Sequence, residues 1–138
     1  MKTLERIYQY YSKRNIISTD SRKIDEGCVF VALKGERFDG NDFAYQVAIE
    51  GKAACVIADR KDLPEHERLF IVENSLTTLQ HLARLHRERC NIPIIGITGT
   101  NGKTTTKELV ATTLSKKYNI IYTQGNFNNH LGVPLTLL

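Results

Sequence analysis

The chain has 138 residues, of which 41% are hydrophobic and 25% charged, and its formal net charge is +4. No apolar run is long enough to span a membrane and the first residues lack the apolar core of a secretory signal, so both are excluded and a cytoplasmic protein is expected. Acidic residues are interspersed among the basic ones, which favours a small phosphorylated ligand over a nucleic acid.

The first part of the chain predicts a small mixed α/β domain over residues 1–88. Apolar spacing predicts a helix around residues 4–11, and short apolar runs predict strands at 16–19, 28–33, 54–58 and 69–72. Further helices are predicted at about 42–50, with Gly51 as the C-terminal stop, and at about 75–89. The three cysteines (Cys28, Cys55 and Cys90) have no metal-binding spacing, so free and mostly buried thiols are expected.

From residue 89 the pattern becomes strand, loop, helix and strand. The almost continuous apolar run at residues 92–98 predicts a parallel strand covered on both faces. A helix over 103–117 and a strand over 119–123 are predicted to follow. The fold class is therefore α/β, with residues 89–138 expected to form the first part of a parallel-sheet, phosphate-loop ATPase domain.

The loop between that strand and helix reads Gly99-Thr100-Asn101-Gly102-Lys103-Thr104-Thr105. It resembles a phosphate-binding loop in a shortened form. The longer G-x-x-x-x-G-K-[ST] pattern is not matched, because Ile97 stands where that pattern has its first glycine. Glycines let successive N–H groups converge on phosphate oxygens at the helix start. Lys103 is predicted to reach the β- and γ-phosphates and the Thr104 hydroxyl to hold Mg²⁺. The alternative is a simple glycine turn with an exposed lysine.

Two loops of the first domain carry groups suited to a nucleotide. The first offers an acceptor, a hydroxyl and a guanidinium, in Asp20, Ser21 and Arg22. The second combines glycines, an aromatic ring and a carboxylate, in Gly35, Phe38, Asp39 and Gly40. The alternative for the first loop is a capped turn with a surface arginine. For Phe38, a core position is as good an explanation as contact with a base or sugar.

A third loop, near the C-terminus, is rich in side-chain amides. Asn126, Asn128 and Asn129 lie between Gly125 and Gly132 and are suited to contacts with substrate or metal-bound water. The role of His130 is open. His86 and Cys90 share one face of the third helix, but no second pair of ligands accompanies them, so packing is expected rather than metal binding.

Taken in order, these motifs resemble the Mur ligase family. The Thr98–Thr105 string is similar to the ATP loop that Mur ligases share with folylpolyglutamate synthetases. The segments 20–22, 27–35 and 38–43 resemble the uridine-diphosphate-binding domain of the MurE and MurF types. The stretch Gly125–Leu138 is similar to the G-N-x-N-N-x-x-G-V-P-x-T-L-L pattern of the MurF type, so the resemblance covers the chain from residue 20 to 138.

The resemblance implies an ATP- and Mg²⁺-dependent ligase of peptidoglycan precursor synthesis. MurF-type enzymes join D-alanyl-D-alanine to UDP-N-acetylmuramoyl-tripeptide through an acyl phosphate, and no nucleic acid or membrane partner is implied. The full-length enzyme is expected to be monomeric, and the 138 residues alone, as an N-terminal fragment, inactive. The alternatives are a MurE-type ligase, against which the Asn-rich loop argues, a non-catalytic nucleotide-binding module, and a nucleic-acid-binding domain that rests only on the high isoelectric point.

Overall fold

A computed structural model describes residues 2–125 and 127–138. Within them, five helices and four strands follow one another along the chain. Their bounds are α1 Lys2–Tyr11, β1 Ile17–Ser18, β2 Val29–Val31, α2 Asn41–Glu50, β3 Cys55–Ala58, β4 Leu69–Ile71, α3 Ser75–Cys90, α4 Lys103–Leu114 and α5 Gly132–Leu137. The helices and strands predicted for the first domain are therefore confirmed, with shorter strands than expected.

The four strands form one parallel sheet in the order β1-β2-β3-β4. In its centre, Val29 pairs with Cys55 and Val56 pairs with Leu69. Since every strand runs in the same direction, the segments that follow them meet at one edge of the sheet, which we call the carboxyl edge. These segments include the loops beginning at residues 19, 32, 59 and 72.

Both faces of the sheet are covered, as the apolar runs of β2 and β3 predict. Alternate residues of each strand point to opposite faces. One face packs against α1 and α3, through a cluster that contains Tyr11, Val29, Ile57 and Leu79. The opposite face packs against α2, through a cluster that contains Phe30, Ala44, Val47, Val56 and Ala58. The first domain is thus a three-layer α/β structure with its core on both sides of the sheet.

Caps are visible at the end of α2 and at the start of α3, near the predicted bounds of both helices. Gly51 ends α2 in the left-handed conformation, with φ 75°, which glycine adopts without steric cost. The Asn74 side chain accepts a 2.8 Å hydrogen bond from the N–H of Thr77 and so caps the start of α3.

The predictions of strands at 92–98 and 119–123 were wrong for this structure, in which neither segment is a strand. Ile95 and Ile121 are 62% and 82% exposed. A strand needs hydrogen-bonded neighbours, and among residues 2–125 and 127–138 no element pairs with either segment. The helix between them forms as predicted but ends at Leu114, followed by a turn over residues 115–117 in place of its last predicted residues.

The C-terminal helix α5 was not predicted. It packs against α3, and Leu131, Leu135 and Leu138 contact the core cluster beneath α1 and α3. Tyr11 Oη donates a 2.5 Å hydrogen bond to the carbonyl oxygen of Leu138, and burial raises the pKa of Tyr11 to about 12. Residues 131–138 therefore pack against the core of the first domain.

Candidate nucleotide-binding sites

The Asp20-Ser21-Arg22 loop lies at the carboxyl edge, directly after β1. Its two charged side chains pair with each other, because Arg22 donates from Nε and Nη2 to the two carboxylate oxygens of Asp20, at 2.9 and 2.8 Å. These bonds, with a further one from the Arg22 backbone N–H, lower the pKa of Asp20 to about 2. Ser21 is half-buried and the Arg22 side chain is exposed. The geometry is that of the capped turn, with a guanidinium that solvent reaches.

The 35–40 loop follows β2 and lies at the same edge. The N–H of Gly35 donates to the carbonyl oxygen of Phe38 at 2.7 Å, and that of Gly40 donates to the carbonyl oxygen of Leu33 at 2.9 Å. Phe38 is outside both core clusters and stacks on Phe43, with ring centroids 5.5 Å apart. Of the two interpretations of Phe38, a core position is therefore excluded, and this loop carries an exposed aromatic ring.

The two glycines of this loop differ in what they permit. A Cβ at Gly40 would lie only 2.9 Å from the backbone nitrogen of Leu33, so this glycine allows close approach of the chain to itself. At Gly35 the nearest atom would be 3.7 Å away, and its backbone is not in the left-handed region. Only Gly35 is therefore open to a ligand in the way that the sequence predicted for both.

A polar network at the carboxyl edge was missed by the sequence analysis. Buried Asn41 hydrogen-bonds to Asp39 and to Asp59, and Arg60 forms ion pairs with Asp39 and Asp42. Burial raises the pKa of the Asp39 carboxyl, whereas the hydrogen bonds from Asn41 and Arg60 lower it. The hydrogen bonds outweigh burial, so the pKa of Asp39 lies below its ordinary value. The signal was available, since residues 59 and 60 directly follow a buried strand and so lie at the same edge as the predicted loops.

The segment 99–102 forms a turn into α4, without the preceding strand that the sequence predicts for this motif. Gly99 and Gly102 have φ values of 151° and 76°, and Gly102 is the N-cap of the 12-residue helix α4. No side chain among the described residues caps that helix start. Lys103 is half-buried and its Nζ donates to the carbonyl oxygen of Gly99, whereas the neighbouring polar side chains are exposed, namely Thr100, Asn101, Thr104 and Thr105.

Lys107, one turn along α4 from Lys103, is a second residue that was not predicted. Its Nζ donates to the carbonyl oxygens of Thr123 and Gly125, at 2.7 and 3.1 Å, and lies 3.0 Å from a carboxylate oxygen of Glu108. The phosphate-loop helix is thereby tied to the segment that leads into the Asn-rich loop.

Within the Asn-rich loop, Asn126 lies outside the described residues. Asn128 is exposed. The Asn129 side chain accepts hydrogen bonds from the N–H groups of Leu131 and Gly132, at 3.1 and 2.7 Å, and so caps the start of α5. His130 is exposed and its carbonyl oxygen accepts a 3.0 Å bond from Gln80 on α3. Asn129 thus has a structural role in capping α5, while the Asn128 side chain is exposed to solvent.

His86, Cys28 and Cys55 are packed as predicted, whereas Cys90 is not. His86 contacts the hydroxyl of Tyr8 at 3.2 Å and packs edge-on against Tyr11, which agrees with the predicted packing role, and burial lowers its pKa. Cys28 and Cys55 are buried and free, as expected. Cys90, at the end of α3, is free but exposed, so the expectation of burial was wrong for this thiol.

Two shallow concave surfaces of the described residues, of about 450 and 380 Å³, are not lined by any predicted site residue. Over residues 2–125 and 127–138, no three histidine, cysteine or acidic side chains are grouped as ligands for a metal ion. In the same ranges no helix has the length and apolar character needed to cross a membrane. The candidate site is therefore a set of exposed loops.

Comparison with known families explains this arrangement of loops. The model of the Mur ligase family, catalytic domain, matches residues 13–96, and that of the Mur ligase middle domain matches residues 97–138. The chain belongs to the Mur ligase family. The matched regions meet in the segment that precedes the phosphate loop, so that loop belongs to the middle-domain part of this Mur ligase chain.

Curated relatives of this Mur ligase chain include three UDP-N-acetylmuramoyl-tripeptide–D-alanyl-D-alanine ligases. That of Bacillus subtilis is 44% identical over 88% of the chain, that of Synechocystis 48% over 90%, and that of Escherichia coli 42% over 88%. The chain covers only 27%, 28% and 26% of these relatives, so it spans about a quarter of their length.

Solved structures confirm the α/β fold of the Mur ligase chain. The MurF ligase of Thermotoga maritima, solved in complex with ADP, aligns with a TM-score of 0.79 and 41% identity over 88% of this chain and 28% of its own. A MurF structure from Acinetobacter baumannii aligns with a TM-score of 0.80 and 36% identity over 99% of this chain and 32% of its own. The Mur ligase fold predicted from the motifs is thus confirmed.

Proposed function

We propose that this chain forms the uridine-nucleotide-binding domain and the phosphate loop of a cytoplasmic, MurF-type ligase, monomeric at full length. One observation carries the proposal: a glycine in the left-handed conformation starts a 12-residue helix, and the lysine after it folds back over the loop. The MurF names of the relatives and of the structural neighbours support the same activity.

The loop fits a nucleoside triphosphate on structural grounds. The backbone angles of Gly99 and Gly102 are ones that other residues rarely adopt, and the uncapped N-terminus of α4 is the positive end of its dipole. The Thermotoga maritima neighbour was solved in complex with ADP, which supports nucleotide binding by this family member. We propose that residues 99–105 bind ATP. On binding, the Lys103 ammonium would leave the Gly99 carbonyl oxygen and contact the β- and γ-phosphates instead.

Thr104 is the residue proposed to hold Mg²⁺. Its hydroxyl is exposed in the first turn of α4, beside the lysine, and no hydrogen bond among the described residues engages it. A bound Mg²⁺ would supply positive charge that neutralises the phosphate oxygens. Lys103 and the loop N–H groups would stabilise the remaining negative charge, because positioning and electrostatics account for most of the catalysis of phosphoryl transfer.

The first domain is proposed to bind the UDP portion of the acceptor. The candidate contacts lie in two loops at the carboxyl edge, where ligands of parallel sheets bind, and comprise Asp20, Ser21, Arg22, Gly35, Phe38, Asp39 and Gly40. The structure adds weight to Arg22 and Phe38, whose side chains are exposed. Gly40 would act indirectly, since it packs on the backbone of residues 32 and 33.

The proposed reaction has two steps. The terminal carboxylate of UDP-N-acetylmuramoyl-tripeptide attacks the γ-phosphorus of ATP, which forms an acyl phosphate and releases ADP. The amine of D-alanyl-D-alanine then attacks the acyl carbon, which expels phosphate and, after loss of a proton, leaves the new amide bond. Asn128 and Asn126, on the loop that Lys107 ties to α4, are proposed to contact substrate near the transferred phosphate.

Full-length protein that begins with this chain tests the proposal. We expect phosphate release from ATP to require both UDP-N-acetylmuramoyl-tripeptide and D-alanyl-D-alanine, with a UDP-linked pentapeptide as the product. A MurE-type ligase would instead accept the UDP-linked dipeptide and a free diamino acid. Nucleotide binding without phosphate release under any of these substrate combinations would identify a non-catalytic module and contradict the proposal.

A further inference from the structure

Asn41 carries a buried side-chain amide at the carboxyl edge, where the loops that follow the central strands β2 and β3 begin. It is the first residue of α2 and only 2% exposed. Its Nδ2 donates to Asp39 Oδ1 at 2.8 Å and to Asp59 Oδ1 at 2.9 Å, and its Oδ1 accepts from the N–H groups of Asp59 and Arg60, at 3.1 and 3.3 Å. A side-chain amide has two donor hydrogens and two acceptor lone pairs, and all four are used here.

The bonds of Asn41 join four parts of the fold. Asp39 Oδ1 also accepts from the Asn41 backbone N–H at 2.9 Å, and Arg60 Nη2 donates to Asp39 Oδ2 at 3.4 Å. On the far side, Asp59 Oδ2 accepts from the N–H of Ser75, the first residue of α3, at 3.0 Å. One side chain therefore connects the loop after β2, the start of α2, the loop after β3 and the start of α3.

This connection determines the position of the loop that carries Phe38 and Asp39. The loop is closed at its base by the hydrogen bond from Gly40 to Leu33, and the carboxylate of Asp39 is held by Asn41 and Arg60. Without Asn41, the backbone N–H groups of residues 59 and 60 would lose their acceptor and Asp39 and Asp59 would lose a shared donor. The loop would then lack a fixed orientation for its exposed aromatic ring.

We propose that Asn41 is a positioning residue for recognition of the uridine nucleotide, an inference that rests on the proposed function. It is too buried to touch the ligand and acts through the 35–40 loop. An asparagine is required because an aspartate of equal size would have no donor and would add a third carboxylate between Asp39 and Asp59. An alanine would leave several polar groups without partners.

The test uses the 138-residue chain and titration with UDP, followed by calorimetry and amide chemical shifts. Loss of a buried, charge-linked hydrogen bond is worth about 1–3 kcal/mol, so we expect Asn41→Asp to raise the Kd for UDP at pH 7.5 by about tenfold or more. At pH 5 the added carboxyl should be protonated, because two neighbouring carboxylates raise its pKa, and much of the affinity should return. An affinity that stays equally weak at pH 5 would contradict the role given to the added charge.

Two further variants make the result decisive. Gln46→Ala is the control, because it removes an exposed side chain of the same helix that hydrogen-bonds to Glu50. This variant should bind UDP with the affinity of the unmodified chain. Asp59→Ala removes one hydrogen-bond partner of Asn41 that lies outside the loops at residues 20–22 and 35–40. It should raise the Kd for UDP several-fold and shift the amide resonances of residues 35–40. This variant keeps the proposal testable if Asn41→Asp does not fold.

The outcomes separate the two proposals. If the unmodified chain does not bind UDP, the proposed uridine site is wrong and this inference falls with it. If that chain binds UDP while Asn41→Asp and Asp59→Ala both bind it equally well, the positioning role is refuted and the proposed function stands.

Discussion

Replacing Gly40 by alanine tests the packing of the 35–40 loop against the sheet. The added Cβ would lie 2.9 Å from the nitrogen of Leu33 and 3.0 Å from two further backbone atoms, of Ala32 and Leu33. Backbone at the end of a central strand cannot move aside as a flexible side chain can, so the overpacking should cost about 1–3 kcal/mol. Since φ is −61° and ψ −22°, the lower chain entropy of unfolded alanine returns about 0.4–1 kcal/mol.

The expected net loss in the free energy of unfolding is therefore about 1–2 kcal/mol. Urea unfolding of the 138-residue chain, followed by far-ultraviolet circular dichroism, should show the midpoint lowered by about 0.5–1 M with an unchanged slope. Gly35→Ala is the matched control in the same loop, because its Cβ would meet nothing nearer than 3.7 Å. That variant should be as stable as the unmodified chain or slightly more stable.

The same pair of variants separates packing from ligand contact. If Gly35 permits close approach of UDP, Gly35→Ala should weaken UDP binding while its stability is unchanged. A Gly40→Ala chain as stable as the unmodified one, or a Gly35→Ala chain less stable than Gly40→Ala, would refute the reasoning from the backbone distances.

Three further predictions follow from individual side chains. Lys103→Ala in the full-length protein should lower turnover by about 100-fold or more at saturating ATP, with little change in melting temperature, since its only described partner is the Gly99 carbonyl; turnover near the original rate would exclude the phosphate-loop role. Tyr11→Phe should lower the free energy of unfolding by about 1 kcal/mol at neutral pH. Because the pKa of Tyr11 is raised to about 12, its contribution should be complete below pH 10 and disappear as the pH rises to 12, which absorbance titration and unfolding in parallel would measure. Iodoacetamide should label exposed Cys90 in the folded chain, and Cys28 and Cys55 only after unfolding, because both are buried and burial raises the pKa of Cys55 to about 12; mass spectrometry that finds Cys55 labelled first would contradict the packing.

Local pattern was sufficient for the helices and strands of the first domain and for the turn into α4. The apolar runs of β2 and β3 identified buried parallel strands, and Gly51 at the end of α2 and Gly102 in the turn into α4 both adopt the left-handed conformation that glycine permits. These features depend on hydrogen bonds and backbone angles within a few residues, so the sequence contains nearly all the information that determines them. The motifs in their order were also sufficient to identify the family.

Contacts between distant segments could not be read in this way. The sequence places residues 59 and 60 at the carboxyl edge, because they follow a buried strand, but it does not show that they complete the hydrogen bonds of Asn41. It also does not show that Leu138 accepts a bond from Tyr11. The apolar run at 92–98 has the composition of a buried strand, yet a strand exists only where neighbours pair with it.

The sequence by itself therefore determined the order of helices and strands in the first domain, the turn at Gly102 and the family. Only the tertiary structure decided that Asp20 and Arg22 pair with each other, that Gly40 packs on backbone while Gly35 stays open, and that one buried amide joins two loops and two helices. The physical reason is that local backbone preferences act over one turn of chain, whereas a buried polar group must find its partners among whatever segments the fold brings beside it.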